Sequence, residues 1–224
     1  MPFLLWLSLL ASLVLMVLLP FLFGEIMLGG LGRLHINPQA AVTLMVAIIA
    51  GGFINIPLKR ITHQHDVIVH PFAVFGFAGR WPQLRRIRRE TVIAVNVGGC
   101  LIPVGLVLYE VAHLATGKGA LAAAAIASTV NAIVCYLAAR PVPSVGIVMP
   151  GLLSAFVAAG LALIFAPGEA APVAYVAGVV GPLVGADLLH LRDFSGKAVG
   201  TVSIGGAGTF DGIVLSGIVA AYLA

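Results

Sequence analysis

Two aspartates, Asp187 and Asp211, stand inside the apolar run GPLVGADLLHLRDFSGKAVGTVSIGGAGTFDGIVLSG, residues 181–217 of the chain. A carboxylate at membrane depth is costly to bury as an ion, so it is paired, protonated or used. Asp187 sits among Leu183, Leu188 and Leu191, where desolvation favours the neutral acid. Asp211 follows the glycine-crowded approach Gly205-Gly206-Ala207-Gly208-Thr209-Phe210. At the start of a helix its charge is favoured by the dipole and by unpaired amides. One carboxylate ionised and one protonated is the pairing with which an aspartic dyad activates water and protonates a leaving group.

The elements that must position these residues are membrane-type. Of 224 residues, 61% are hydrophobic and 9% are charged, against roughly 25% charged in soluble domains; mean hydropathy is +1.13. The composition implies an all-α, polytopic transmembrane helix bundle forming one integral membrane domain over residues 1–224, with the lipid bilayer as its partner. The formal charge of +4 does not point to nucleic acid, because the basic residues fall between apolar runs, where they set orientation. Cys100 and Cys135 lie in expected spans and have no metal-type spacing.

Along the chain, Pro2 to Phe23 is long enough to cross a hydrocarbon core and lacks the charged start and cleavage site of a signal peptide, so it is expected to be a retained first helix. Pro38 to Pro57 is the second span, with Asn37 as N-cap. Thr91 to Val111, interrupted by Gly98, Gly99 and Pro103, is the third, and Gly119 to Ala139 the fourth. Arg140 leads into Pro141-Val142-Pro143, which breaks helix. A fifth span runs to about Ala166, a sixth from Ala171 to Leu191, and the last ends at Ala224. About seven spans result. The last helix, if it begins near Thr209, has sixteen residues and spans roughly 24 Å. Gly200, Gly205, Gly206, Gly208 and Gly212 discourage helix before it, which predicts an extended or re-entrant segment.

Residues 59–90 form the one long polar interruption, a basic loop with a short β-hairpin in HQHDVIVHPFAVFGF and an amphipathic turn or helix in RWPQLRRIRRE; Trp81 suits the headgroup layer. Lys59, Arg60, Arg80, Arg85, Arg86, Arg88, Arg89, Arg140, Arg192 and Lys197 fall on one side, and Arg33 and Lys118 on the other. The richer side is cytoplasmic by the positive-inside rule, which puts the N-terminus inside and the C-terminus outside.

Other chemistry is less well supported. His63, His65, Asp66 and His70 have strand spacing for a metal but lack further ligands, and a solvated loop explains them better; no metal site is expected. His190 shares a helix face with Asp187 and either tunes its proton or marks the water interface. Glu110 and His113 share a face at a span end, where exposure explains them. Asn96 and Asn131 suit interhelical hydrogen bonds. Ser203 and Ser216 lack a base for nucleophilic catalysis.

The run GADLLHL, followed by SIGGAGTFDGI and preceded by PVPSVGI, resembles an uncharacterised family of bacterial and archaeal multi-spanning membrane proteins, a domain of unknown function, over most of the chain from the second span onward. That resemblance implies a membrane location and no particular activity. More distantly, the arrangement is similar to the intramembrane aspartyl proteases, namely presenilins, signal peptide peptidases and prepilin peptidases, in which an aspartate on one helix meets a second in a Gly-x-Gly-Asp motif on another. That likeness implies catalytic roles for Asp187 and Asp211, with Gly206 and Gly208 as the motif glycines and Gly212 beside them. Pro141 and Pro143 stand for the proline element, and His190 shapes the site. Thr209 and Phe210 intervene before Asp211, and the proline element precedes the aspartates.

The expectation is therefore a peptidase that uses an Asp187/Asp211 dyad in residues 181–217, on a transmembrane peptide or protein substrate, without a cofactor, either alone or as a homo-oligomer. Two other readings use the same residues. A proton- or cation-coupled transporter or channel would use buried carboxylates beside broken helices, for which Gly98 to Pro103 and Gly181 to Gly185 qualify. In a non-catalytic scaffold, Asp187 pairs with Arg192 or Lys197 and Asp211 caps its helix.

Overall fold

The computed structural model describes residues 2–69, 83–117, 119–142, 146–191, 200–206 and 211–224. Among them lie seven α-helices: α1 (Pro2–Leu31), α2 (Pro38–Gly51), α3 (Ile102–Leu114), α4 (Ala120–Ala138), α5 (Leu153–Phe165), α6 (Ala170–Val180) and α7 (Gly212–Leu223). Two helices are extended by π-helical segments, Val97–Leu101 before α3 and Gly181–Leu188 after α6. Four helical runs are long and apolar enough to cross a membrane: Trp6–Leu31, Val97–Leu114, Ala120–Ala138 and Pro167–Leu188. The helices Pro38–Gly51, Leu153–Phe165 and Gly212–Leu223 are apolar but shorter. The fold is compatible with a membrane protein, with four helical runs of crossing length and three shorter apolar helices among the described residues.

The packing is inverted relative to a soluble core. Small residues fill the interior, among them Ala124, Ala127, Ala158, Ala174 and Ala220, while Trp6, Phe21, Leu137 and Ile164 lie exposed on the outside. Without a hydrophobic drive between helices in lipid, close backbone approach does this work, and small residues permit it. The α6 helix is the axis: every residue from Pro172 to Val179 is buried, as expected of a helix apolar on all sides. A Cβ on Gly178 would lie 2.6 Å from the Ser216 carbonyl oxygen of α7, and one on Gly185 would strike the Ala132 carbonyl oxygen of α4.

The sheets depart from an all-α fold. The expected short hairpin is a long one, in which β1 (Asn55–Val69) pairs antiparallel with β2 (Gln83–Asn96) from Asn55 opposite Asn96 to Val69 opposite Gln83. β2 also pairs in parallel with β5 (Gly200–Ile204). The basic run RRIRRE is thus strand rather than amphipathic helix, and Thr91 to Asn96, taken as the start of the third span, is strand as well. Partners on both sides of β2 outweigh local pattern here, since a short apolar run fits strand or helix equally well. Likewise the second span ends at Gly51, and the chain is already strand at Asn55. Extended backbone before the last helix is found as β5, and the proline-rich break as the hairpin of β3 (Arg140–Val142) with β4 (Gly146–Val148). Trp81, His70, Pro143, Arg192, Asp193, Lys197, Gly208, Thr209 and Phe210 fall outside the described residues.

Candidate functional site

The site is assembled where two interrupted helices and a glycine turn meet. Gly98 and Gly99 open the first π segment; Asn96 caps it by accepting from the Gly99 amide at 2.7 Å and donating to the carbonyl oxygen of Gly52 at 2.8 Å and to Asn55 Oδ1 at 3.1 Å. Ser203 of β5 donates to the same Asn55 oxygen at 2.6 Å. Asn96 is fully buried, so it joins the end of α2, the start of β1 and the π segment, while Ser203 brings β5 to the same point. The glycines are required by contact: a Cβ on Gly98 would strike the Ile48 carbonyl oxygen, and one on Gly99 the Gly205 carbonyl oxygen.

Gly205 begins the turn after β5 with a φ of 69°, the left-handed region that glycine reaches without steric cost. Its amide donates to Asp187 Oδ2 at 3.3 Å. Asp187 lies near the end of the second π segment, where Pro182 supplies no amide and the backbone departs from α geometry. Such π segments concentrate at functional positions.

Asp211 is the N-cap of α7 and accepts from the Ile213 amide at 2.9 Å. The helix starts at Gly212, three residues later than expected, so Asp211 precedes the first turn rather than lying within it. With twelve residues, α7 is about 18 Å long instead of 24 Å. Cys100 is buried on the first π segment, and a Cβ added at Gly205 would lie 2.9 Å from its own Cβ. It had no assigned part in the sequence reading; its position directly after Gly98-Gly99 was the available signal.

The other expected site residues divide. Gly206 closes the turn, its amide donating to the Ser203 carbonyl oxygen at 3.0 Å, and a Cβ there would lie 2.7 Å from Ser203 Cβ. A Cβ on Gly212 would meet only Met149 Cε at 3.7 Å, which sets the residue after the β3–β4 hairpin against the start of α7. Pro141 occupies β3, in register with Ile147. His190 is buried, and its Nδ1 lies 3.1 and 3.0 Å from the Gly185 and Ala186 carbonyl oxygens. Its ring rests 4.9 Å from that of Tyr136. It therefore secures the end of its own helix. An apolar cavity of about 310 Å³ lies between α4 and the second π segment, lined by Ser128, Ile133, Tyr136, Val180, Val184 and Leu189 among others. Among the described residues no three metal-type side chains gather into a metal site.

Glu110 is the largest departure from the sequence reading. It is fully buried rather than exposed, and it binds His35 from the α1–α2 connection: Nδ1 to Oε2 at 2.8 Å, and the His35 amide to Oε1 at 3.1 Å. The signal was its place in an apolar run, which in a membrane protein flags an ionisable residue for function by default.

Apolar helices, four runs of them long enough to cross a membrane among the described residues, define a helical bundle of membrane type. The chain belongs to the family described as "Protein of unknown function (DUF1614)", whose pattern covers residues 49–223. No curated protein and no solved structure matches the chain.

Proposed function

We propose that this protein is an intramembrane aspartyl peptidase whose dyad is Asp187 and Asp211. The observation that carries the reading is that two carboxyl groups from different elements are each oriented by a backbone amide, Gly205 for Asp187 and Ile213 for Asp211. In the reaction Asp211, on a helix N-terminus, acts as base and takes a proton from a water molecule. The oxygen of that water bonds to the scissile carbonyl carbon. Asp187 as acid protonates the leaving nitrogen when the carbon–nitrogen bond breaks. Peptide bond and water become acid and amine, and the proton taken up by Asp211 returns to Asp187 before the next turnover. The apolar cavity beside the second π segment suits a membrane-embedded segment as substrate, in keeping with an integral membrane location. The count of ten basic residues against two supports a cytoplasmic position for the aspartate end of the bundle.

The test is cleavage of a model transmembrane peptide by the purified full-length protein in lipid nanodiscs. Asp187→Asn and Asp211→Asn each keep a side-chain oxygen for the amide they accept from, so both variants are expected to fold and to lose cleavage. Wild-type rates in either folded variant would overturn the dyad.

A second reading is favoured by the two π segments, Val97–Leu101 and Gly181–Leu188, which converge on Asp187. Proton- or cation-coupled transporters use broken helices around midplane carboxylates in this way. Proton flux into liposomes, abolished by the same two variants while no peptide is cut, would favour it over hydrolysis.

A further inference from the structure

At the bundle end opposite the aspartates, His35 bridges two glutamates. Nδ1 lies 2.8 Å from Glu110 Oε2 and Nε2 lies 3.2 Å from Glu169 Oε2. Glu110 comes from α3, and Glu169 from the 3₁₀ turn Pro167–Glu169 that joins α5 to α6. Around them, Tyr109 donates to the His35 carbonyl oxygen at 2.6 Å. The His113 ring stacks on that of His35 at 5.2 Å with an interplanar angle of 9°. Tyr175 of α6 lies within reach of the Glu110 charge. From α7, Tyr222 carries the Arg33 guanidinium 5.8 Å above its ring. Among the described residues, Tyr109 and His113 are the titratable groups in direct contact with His35 besides the two glutamates.

Proton counting decides what this arrangement is. Each nitrogen–oxygen contact needs one hydrogen, and carboxylates supply none. Both contacts therefore require two protons shared by the imidazole and two carboxyl groups: an imidazolium between two carboxylates, or a neutral ring with one carboxylic acid. With one proton fewer, one ring nitrogen turns a lone pair towards a carboxylate. The side that opens follows from burial. Glu110 is fully buried and accepts two N–H groups from His35, whereas the Glu169 side chain is 43% exposed and has water available. Losing a bond to a buried carboxylate costs more than losing one to a hydrated carboxylate. The remaining ring proton stays on Nδ1, and Glu169 is released.

We infer that Glu110, His35 and Glu169 form a proton-binding site which, when occupied, clamps the α1–α2 connection to α3 and to the α5–α6 turn, and which on losing its proton frees the Glu169 side. It uses neither aspartate, so it stands or falls separately from the peptidase reading.

The experiment is nitrogen NMR of ¹⁵N-histidine-labelled full-length protein in nanodiscs across a pH series. The His35 signal is identified by its loss in His35→Gln or, should that variant misfold, as the signal left when the other five of the six histidines are Gln. The expected result is passage from a doubly protonated ring to the Nδ1–H tautomer, with faster amide exchange in residues 166–169 on the same pH scale. Glu169→Gln is expected to remove the pH dependence of amide exchange in residues 166–169 while the Nδ1 contact to Glu110 stays in place. An Nε2–H tautomer, or pH-dependent exchange left unchanged by Glu169→Gln in a folded protein, would overturn the inference.

Discussion

Gly205→Ala tests the architecture of the aspartate site more sharply than any change to the aspartates themselves. The residue has a φ of 69°, which costs an L-residue about 1–2 kcal/mol. The added Cβ would lie 2.6 Å from the Gly99 carbonyl carbon, 2.7 Å from its oxygen and 2.9 Å from Cys100 Cβ. The first two are backbone atoms held by the Asn96 cap and cannot rotate away, so overpacking adds about 1–3 kcal/mol. The sum is about 2–5 kcal/mol, and at 2–4 °C per kcal/mol for a chain of this size Tm should fall by roughly 4–20 °C. Gly212→Ala is the matched control one residue from Asp211: its Cβ meets only Met149 Cε at 3.7 Å, so its stability should stay within about 1 kcal/mol of wild type. Both are measured by thermal unfolding in one detergent, with Asp187-dependent activity read alongside. Because the Gly205 amide holds Asp187 Oδ2, activity should fall even at temperatures where Gly205→Ala is fully folded. Equal Tm values for the two variants would refute the proposed contact between the turn and the π segment.

Asn131→Leu removes donors to Ser154 Oγ at 2.9 Å and to the Ala177 carbonyl oxygen at 2.8 Å, leaving buried groups unpaired; a loss of about 1–3 kcal/mol is expected in unfolding measurements. Ser128→Ala should be neutral or stabilising, because its buried Oγ has no hydrogen-bond partner among the described residues and desolvating it gains nothing. Gly185→Ala, whose Cβ would strike the Ala132 carbonyl oxygen, should destabilise strongly, whereas Gly160→Ala, with nothing within 4 Å, should not. Glu169 and Asp187 are eighteen residues apart along α6 and its π extension, about 25 Å, so the stability effects of Glu169→Gln and Asp187→Asn should add within about 0.5 kcal/mol in a double-mutant cycle.

Much of the fold was legible where a residue type permits little else. Gly98-Gly99 and Gly181-Pro182 announced interrupted helices, and both became π segments; Pro141 announced non-helical backbone, and it lies in a strand. Asn131 was read as an interhelical hydrogen bonder and donates to both α5 and α6. The sheet was illegible for a physical reason. Gln83 to Asn96 alternates charge and apolarity imperfectly, and what makes it strand is β1 on one side and β5 on the other, the second more than a hundred residues away. Glu110 was misjudged for the same reason. Its burial depends on His35, 75 positions earlier, and no local pattern around Glu110 reveals that partner. α7 starts later than the glycine pattern suggests, and Asp211 caps it by accepting from the Ile213 amide, as the non-catalytic reading expects.

The placement of the carboxyl groups follows from how the bundle is packed. A core built from alanine and glycine brings backbones so close that little volume remains for a polar side chain at mid-depth, and Asn131 is there only because Ser154 and Ala177 satisfy it. Asp187, Asp211, Glu110 and Glu169 lie towards the two ends, where backbone amides or loop side chains are available as partners. At one end the interrupted helices supply those partners as amides, to Asp187 from Gly205 and to Asp211 from Ile213. At the other end they are supplied by His35, whose imidazole Glu110 and Glu169 share and whose amide Glu110 also accepts from. The donors at the aspartate end are amides, which do not titrate, whereas the imidazole between Glu110 and Glu169 gains or loses a bond with each proton.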